Sequence, residues 1–444
     1  MRLGGRLAGA IEVLDDIEAR RRPVADALKD WGLAHRFAGS GDRAAIGNIV
    51  YDALRMKLSH AWLMDDDSAA ALGWAVLLRQ WHFAPETLAA EFEGDNFAPK
   101  PLTAEQLSAF TSRNLAEAPL HVQGDIPEWI QPSFEAAFGE NWLAEARALA
   151  DRPTLDLRVN TLKAGRDKVL KALDRANAQA ARIARFGMRV PAGEGASRLP
   201  NVTAELSFQK GWFEVQDEGS QIVADLVDAR EGEQVLDFCA GGGGKTLAIA
   251  AAMNNKGQVH AYDADRKRLA PIIERLKRAG TRNVQVHDSL RGLDSLKGHV
   301  DRVLVDAPCT GTGTWRRRPD TKWRLTARNL AERVAQQQEA LSEAAAYVRP
   351  GGELLYVTCS VLPEENDAQA NAFCTANPEF ELVGTLDHWD RLFGKTAPRP
   401  RSANGLTVTL SPASTDTDGF FFCRMRRRRS EEHTSELQSR VDTS

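Results

Sequence analysis

The stretch QVLDFCAGGGGKT (residues 234–246) runs from an apolar, β-prone segment through four glycines to Lys245 and Thr246, where a helical pattern opens. A strand, a tight glycine turn and a helix start form the unit from which parallel sheets covered by helices are built. The unit repeats downstream, with strands at QVHAYD (258–263), VQVHD (284–288), DRVLVDAPC (301–309) and ELLYVTC (353–359). Helical stretches follow Lys245, Arg266 and Thr326. The last, about 327–347, is expected to stop at Arg349-Pro350-Gly351-Gly352. These strands end in Asp237 with Cys239, Asp263, Asp288, Asp306 with Cys309, and Cys359. In an open parallel sheet the carboxyl ends of the strands share one edge, where ligands bind, so these side chains are expected to converge.

The loop Cys239, Ala240, Gly241, Gly242, Gly243, Gly244, Lys245 lets a ligand approach the backbone and the free N–H groups of a helix start. A phosphate-binding GxxxxGK[ST] loop would need glycine where Cys239 stands. A dinucleotide GxGxxG beginning at Gly241 would need glycine where Thr246 stands. The third reading is S-adenosyl-L-methionine, whose methionine end fits beside a glycine loop. Asp263 is placed to accept hydrogen bonds from ribose hydroxyls, a role that suits either kind of nucleoside ligand, and Asp288 to reach the adenine or ribose side. Two strand-end thiols beside Asp306 narrow the chemistry. Cytosine is a poor nucleophile at C5, and a thiolate adding at C6 activates it.

Length and composition fit this picture. With 444 residues, 43% hydrophobic and 27% charged, the chain is long enough for two to four domains with buried cores. Five cysteines without CxxC spacing argue against a disulfide framework or zinc ribbon, so no metal is expected. Asp15 and Asp16 come before any long apolar run, which leaves no membrane partner and a cytoplasmic location as the expectation. The net charge of −4 confines any RNA-binding surface to local patches. Candidates are Arg316, Arg318 and Trp323, with Trp315 as a stacking ring, and a patch of Arg158, Lys163, Arg166 and Lys168. Arg426 to Arg429 offer further attraction.

Upstream, Ile46, Ile49, Val50, Ala53 and Leu54 fall on one helix face. Residues 1–118 are read as an all-α domain, 119–220 as a small α+β domain, and 221–429 as the α/β domain. The polar tail 430–444 looks like translated adapter or vector sequence and stays outside the fold.

LDFCAGGGGKT (236–246), YDADRKRL (262–269), VLVDAPCTGTGTWRRRPD (303–320) and YVTCSVLPEEN (356–366) together resemble the RsmB/Nop2/Sun family of RNA cytosine-5 methyltransferases. FAGSGDRAAIGNIVYDALR (37–55) resembles a NusB-like RNA-binding module, which points within that family to its bacterial ribosomal RNA branch. The resemblance implies a Rossmann-like methyltransferase domain behind a NusB-like one, and RNA, ribosomal in this branch, as partner, with a monomer as the default state. It implies Cys359 as the nucleophile at C6, Cys309 as the thiol assisting release, and Asp306 at the N3 and amino side of cytosine. It places S-adenosyl-L-methionine on residues 239–245, Asp263, Asp288 and Asp306. Gly241-Gly242 departs from the Ala-Pro of many relatives. The competing reading is a non-catalytic RNA-binding or ribosome-assembly factor on the same fold.

Overall fold

The structure, a computed structural model, describes residues 1–429; the tail at 430–444 lies outside the described residues. The chain forms two compact units. The first comprises Met1–Pro153, Ala192–Pro200 and Thr314–Leu325, and the second Thr154–Pro191, Asn201–Gly313 and the described residues from Thr326 onward. No helix among the described residues is long and apolar enough to cross a membrane.

The first unit is helical. Helices Leu3–Arg20 and Ser40–Arg55 present Leu7, Ala10 and Leu14 against the predicted face of Ile46, Ile49, Val50, Ala53 and Leu54, all buried in one core. Helical structure runs on past 118, where the sequence reading begins a small α+β domain. Short helices Gln131–Phe138 and Trp142–Ala148 continue it, and Ile126, Ile130, Phe134 and Phe138 are buried. The segment PLHVQGDIPEWIQP is broken by prolines and polar residues, which hid its helical turns from a periodicity reading.

Residues 314–325 pack into this unit, contrary to the solvent-facing role expected of them. Trp315 is fully buried and lies on Phe134, with ring centroids 5.7 Å apart and planes 15° from parallel. Lys322 is also buried and donates from Nζ to the carbonyls of Asp125 at 2.8 Å and Arg55 at 3.1 Å. Burial pulls its pKa down to about 8. Arg55 Nε donates to Arg316 O at 2.8 Å, and Trp323 Nε1 to Leu54 O at 2.7 Å.

The second unit holds two sheets. In the smaller one, β1 (Leu155–Val159), β2 (Gln179–Ala180), β3 (Gly187–Val190) and β4 (Phe213–Val215) lie in the antiparallel order β2-β3-β1-β4 over Leu157, Val169, Met188 and Phe213. Arg158 does not join a surface patch. It is buried, donates from Nε to Gln216 Oε1 at 2.6 Å, and has its pKa lowered to about 10 by burial.

The larger sheet contains β5 (Gln234–Asp237), β6 (Gln258–Tyr262), β7 (Val284–His287), β8 (Val300–Asp306), β9 (Val348–Thr358), β10 (Phe380–Val383), β11 (Thr407–Leu410) and β12 (Phe420–Arg427). Its order is β10-β12-β9-β8-β5-β6-β7, with β11 beside β12. The five predicted strands pair in parallel, and β10, β11 and β12 are antiparallel. The expected stop at 349–352 belongs instead to β9, which opens with a register shift against β8; the preceding helix, Ala327–Ala345, ends earlier. Helix Glu218–Leu226 crosses the expected boundary at 220, and its Ile222, Val223 and Leu226 are buried with residues of the larger sheet.

Replacing Trp315 by Ala should cost about 3–5 kcal/mol of the helical unit's stability, the usual penalty for emptying a buried aromatic site. Urea unfolding of the full chain followed by far-UV circular dichroism reads this. A change below about 1 kcal/mol would mean that the ring is not a core residue.

Candidate active site

Strand order reverses between β5 and β8, because the chain builds β6 and β7 on one side of β5 and then returns to place β8 and β9 on the other. Loops diverge at such a switch point and leave a crevice at the strands' carboxyl ends. Asp237 and Asp306 end the two central strands there.

The glycine turn is held in shape from several directions. Gly241 and Gly243 adopt positive φ of 49° and 79°. A Cβ at Gly243 would stand 2.4 Å from Ile272 Cγ1, so no larger residue fits without displacing that helix. Asp263 closes the turn, accepting from Gly241 N at 2.8 Å through Oδ2 and from Asp265 N at 2.8 Å through Oδ1. Arg275 donates to Gly242 O and pairs with Glu214 of β4 at 3.0 Å, which ties the smaller sheet to the turn.

Below the turn, Thr246 Oγ1 donates to Asp237 Oδ2 at 2.7 Å, while the buried Oδ1 has no hydrogen-bond partner. Burial raises the Asp237 pKa to about 7; the Thr246 hydrogen bond opposes this and the Asp306 charge adds to it. Lys245 Nζ donates to Asp306 Oδ2 at 2.6 Å. Burial works against the Lys245 charge, but Asp306 outweighs it and the pKa rises. Cys239 is pushed well above the usual thiol range by burial and by Asp306, Asp263 and Asp237.

Sγ of Cys309 and Sγ of Cys359 lie 3.3 Å apart. The loops that carry them are cross-linked. Gly313 N donates to Cys359 O at 3.0 Å, Thr312 Oγ1 and Ser360 Oγ share a hydrogen bond of 3.0 Å, and Val361 N donates to Thr312 Oγ1 at 2.9 Å. The hydrogen bond with Cys359, followed by burial, raises the Cys309 pKa well above the usual thiol value, so Cys309 keeps its proton at neutral pH. Sequence reasoning missed Glu365. It is fully buried and accepts from Thr310 N at 2.8 Å, from the Thr310 hydroxyl, and from Gln337 Nε2 at 2.9 Å. Gln337 also donates to Pro308 O at 3.0 Å, so Glu365 anchors the turn that presents Cys309. Glu364 and Glu365 stand side by side in the sequence, and nothing local tells which of the two is turned inward.

Residues 239–245, Asp263, Asp306, Cys309 and Cys359 therefore gather at the carboxyl edge. Asp288 ends the third strand but is 76% exposed and pairs with Arg266 at 3.9 Å. Arg316 is buried and Trp323 half-buried within the helical unit, whereas Arg318 is exposed.

A family model described as 16S rRNA methyltransferase RsmB/F matches residues 224–426, and one for its ferredoxin-like domain matches 126–189. The chain is 36% identical over 304 residues to ribosomal RNA small subunit methyltransferase B of Cronobacter sakazakii, an alignment covering 67% of this chain and 66% of the relative, a little under two thirds. A methyltransferase homolog from Pyrococcus horikoshii, 26% identical, superimposes with a TM-score of 0.57 over 69% of this chain and 97% of its own. NSun6 from the same organism, solved with SFG, is 21% identical and shares the fold, with a TM-score of 0.59 over 68% of this chain and 99% of its own. The Rossmann-like sheet, the ferredoxin-like unit beside it and the motifs at the switch point agree with these matches, which place the matched segments of the chain in the RsmB/F methyltransferase family.

Proposed function

We propose that this chain transfers a methyl group from S-adenosyl-L-methionine to C5 of a cytosine in small-subunit ribosomal RNA, through a transient bond between Cys359 Sγ and C6. The observation that carries the reading is the 3.3 Å approach of two thiols on cross-linked loops beside the Lys245–Asp306 pair. A single strand-end cysteine is usually an inert buried thiol. Two in contact at a switch-point crevice suit addition and elimination at one carbon.

The residues present fit the cofactor. Gly241, at positive φ, leaves room that a Cβ would fill, Asp263 offers a carboxylate at the ribose position, and Asp237 has an unpartnered buried oxygen. S-adenosyl-L-methionine, when bound, supplies an electrophilic methyl group. Residues 239–245, Asp263 and Asp306 would hold it; Asp288 could reach it only from its exposed position at the rim.

The target base must be unpaired or flipped, because C6 is hidden inside a stack. Cys359 attacks as a thiolate, forming the S–C6 bond and moving the C5–C6 π electrons toward C5 and the ring's N3 edge. Asp306 accepts from the amino group, and the Lys245–Asp306 pair lends N3 a proton as charge builds there and takes the same proton back when the S–C6 bond breaks. Once C5 is methylated, release breaks the S–C6 bond and removes the C5 proton. Cys309 returns a proton to the departing sulfur across 3.3 Å, and the proton lost from C5 restores the Cys309 thiol.

Three outcomes test this reading. Cys359→Ala should reduce methylation of ribosomal RNA to background, measured by transfer of labelled methyl groups and bisulfite mapping. Cys309→Ala should accumulate an RNA–protein adduct that survives denaturing electrophoresis, since addition proceeds while release stalls. Asp263→Ala should raise the Kd for S-adenosyl-L-methionine by about tenfold to a hundredfold in calorimetry, the range expected for losing a charged hydrogen-bond acceptor. Normal methylation by the Cys359 variant would refute the covalent route.

A further inference from the structure

At the amino ends of β5, β8 and β9, on the edge opposite the thiols, lies an open cavity of about 630 Å³. Along β8, Arg302 and Asp306 are four residues and about 13 Å apart. Six guanidinium groups and four carboxylates line the cavity, an excess of two positive charges. His388 adds none. Its Nδ1 accepts from Arg391 Nη2 at 2.7 Å and its Nε2 donates to Leu226 O at 3.0 Å, the arrangement of a neutral ring.

The charges form two tiers. In the inner tier, Arg302 pairs with Glu233 at 2.8 Å and Glu353 at 3.4 Å, and Arg424 pairs with Glu353 at 2.7 Å. Arg302 and Arg424 are only 11% and 13% exposed, so these ions are largely matched with one another. In the outer tier, Arg230, Arg349, Arg391 and Arg426 are each between 43% and 66% exposed. Arg349 has a carboxylate of its own, Asp301 at 2.7 Å, which lowers the excess to one positive charge, but the other acids are shared: Asp228 serves both Arg230 and Arg391, and Glu353 serves Arg426 as well as the inner arginines. Asp387, exposed on the rim, is the remaining carboxylate. Arg424 and Arg426 sit two residues apart on β12 and so point to the same face of the sheet. Part of the basic run Arg426 to Arg429 is thereby fixed on a strand instead of trailing free.

A rigid cluster of arginines with more donors than carboxylates to receive them matches the planar, multi-oxygen geometry of a phosphate. We propose that this cavity binds a backbone phosphate of the RNA, a second anchor on the edge of the sheet away from the reacting thiols. The assignment to RNA rests on the methyltransferase reading above. A phosphodiester suits the cavity because its exposed arginines line an open face that a long polyanion can cross. Phosphate contacts of this kind orient the substrate without reading its sequence.

The test compares the full-length parent with Arg391→Gln, Arg426→Gln and the double variant, with Arg391→Lys/Arg426→Lys as a charge-preserving control. Binding is measured by fluorescence anisotropy, without cofactor, over a series of salt concentrations. A long small-subunit RNA fragment is compared with a trinucleotide centred on the target cytosine. For the long RNA, the double Gln variant should bind about three- to tenfold more weakly and lose about 0.7–0.9 from the slope of log K against log salt, the signature of one lost phosphate contact. The Lys control should keep the slope, and trinucleotide binding should not change. Melting temperatures matching the parent exclude a folding defect.

Unchanged affinity and slope for long RNA would overturn the proposal, as would an equal loss for the trinucleotide. Inorganic phosphate at constant ionic strength separates the two sources of the anion. Competition with long RNA in the parent but not in the double variant supports the RNA assignment. Thermal stabilisation by phosphate with no effect of the variants on RNA binding would assign the cavity to a free anion and overturn it. If no RNA is methylated but the salt slope still falls in the variant, the anchor stands and the methyltransferase reading fails. If RNA is methylated but the slope is unchanged, the methyltransferase reading stands and the anchor fails.

Discussion

Lys245 is 9% exposed at its side chain, and its ammonium is tolerable there because Asp306 meets it at 2.6 Å. A buried charge without its partner carries a heavy desolvation penalty, so this ion pair constrains the elements at its two ends together. Lys245 opens the helix after the glycine turn, and Asp306 ends the strand that leads to Cys309. The pair thus fixes the ligand-facing turn and the thiol-bearing loop relative to each other. Asp237 and Cys239 feel the same crowding of acids. Both are pushed toward their neutral forms, Asp237 to about 7.

The thiols depend on a second constraint. Two flexible loops leaving neighbouring parallel strands would seldom hold sulfur atoms 3.3 Å apart unless each loop were tied to the other. Thr312, Ser360 and the backbone of Val361 and Gly313 make that tie, and Asn366 adds to it by donating from Nδ2 to Ser360 O at 3.0 Å. Glu365 supplies the counterpart on the Cys309 side through Thr310 and Gln337. Small hydroxyl and amide side chains suit this task because they satisfy backbone groups that would otherwise be buried without partners. The Thr and Ser residues around the cysteines in the two motifs therefore have a geometric role of their own.

Strand identity and the convergence of strand-end residues were legible in the sequence because both depend on local patterning. Apolar runs of β-prone residues closed by glycine or aspartate give parallel strands whose order then dictates a shared edge. Interactions distant in sequence were not legible. Trp315, Arg316 and Lys322 look like a nucleic-acid loop by composition, and only partners up to 267 residues away in sequence, such as Arg55 for Lys322, make them interior residues. Arg158 was hidden in the same way, since its burial depends on Gln216, 58 residues on. Asp288 shows the opposite failure: the strand end was placed correctly, but β7 lies at the sheet's edge and leaves its carboxylate in solvent.

The departure at Gly241-Gly242 has a conformational meaning. Gly241 takes a φ of 49°, which an alanine there would adopt only at a cost of roughly 1 kcal/mol. Gly242 is absent from the left-handed region and offers its carbonyl to Arg275, so its freedom from a side chain is not used by backbone strain. The glycine that the geometry cannot exchange is Gly243, pressed against Ile272 at the helix entrance. The turn is therefore held by contacts from outside it: Asp263 on Gly241 N, Arg275 on Gly242 O and Ile272 against Gly243. Because Arg275 is itself paired with Glu214 on β4, the rigidity of the turn is drawn from the ferredoxin-like sheet. That arrangement gives the smaller sheet a part in shaping the glycine turn.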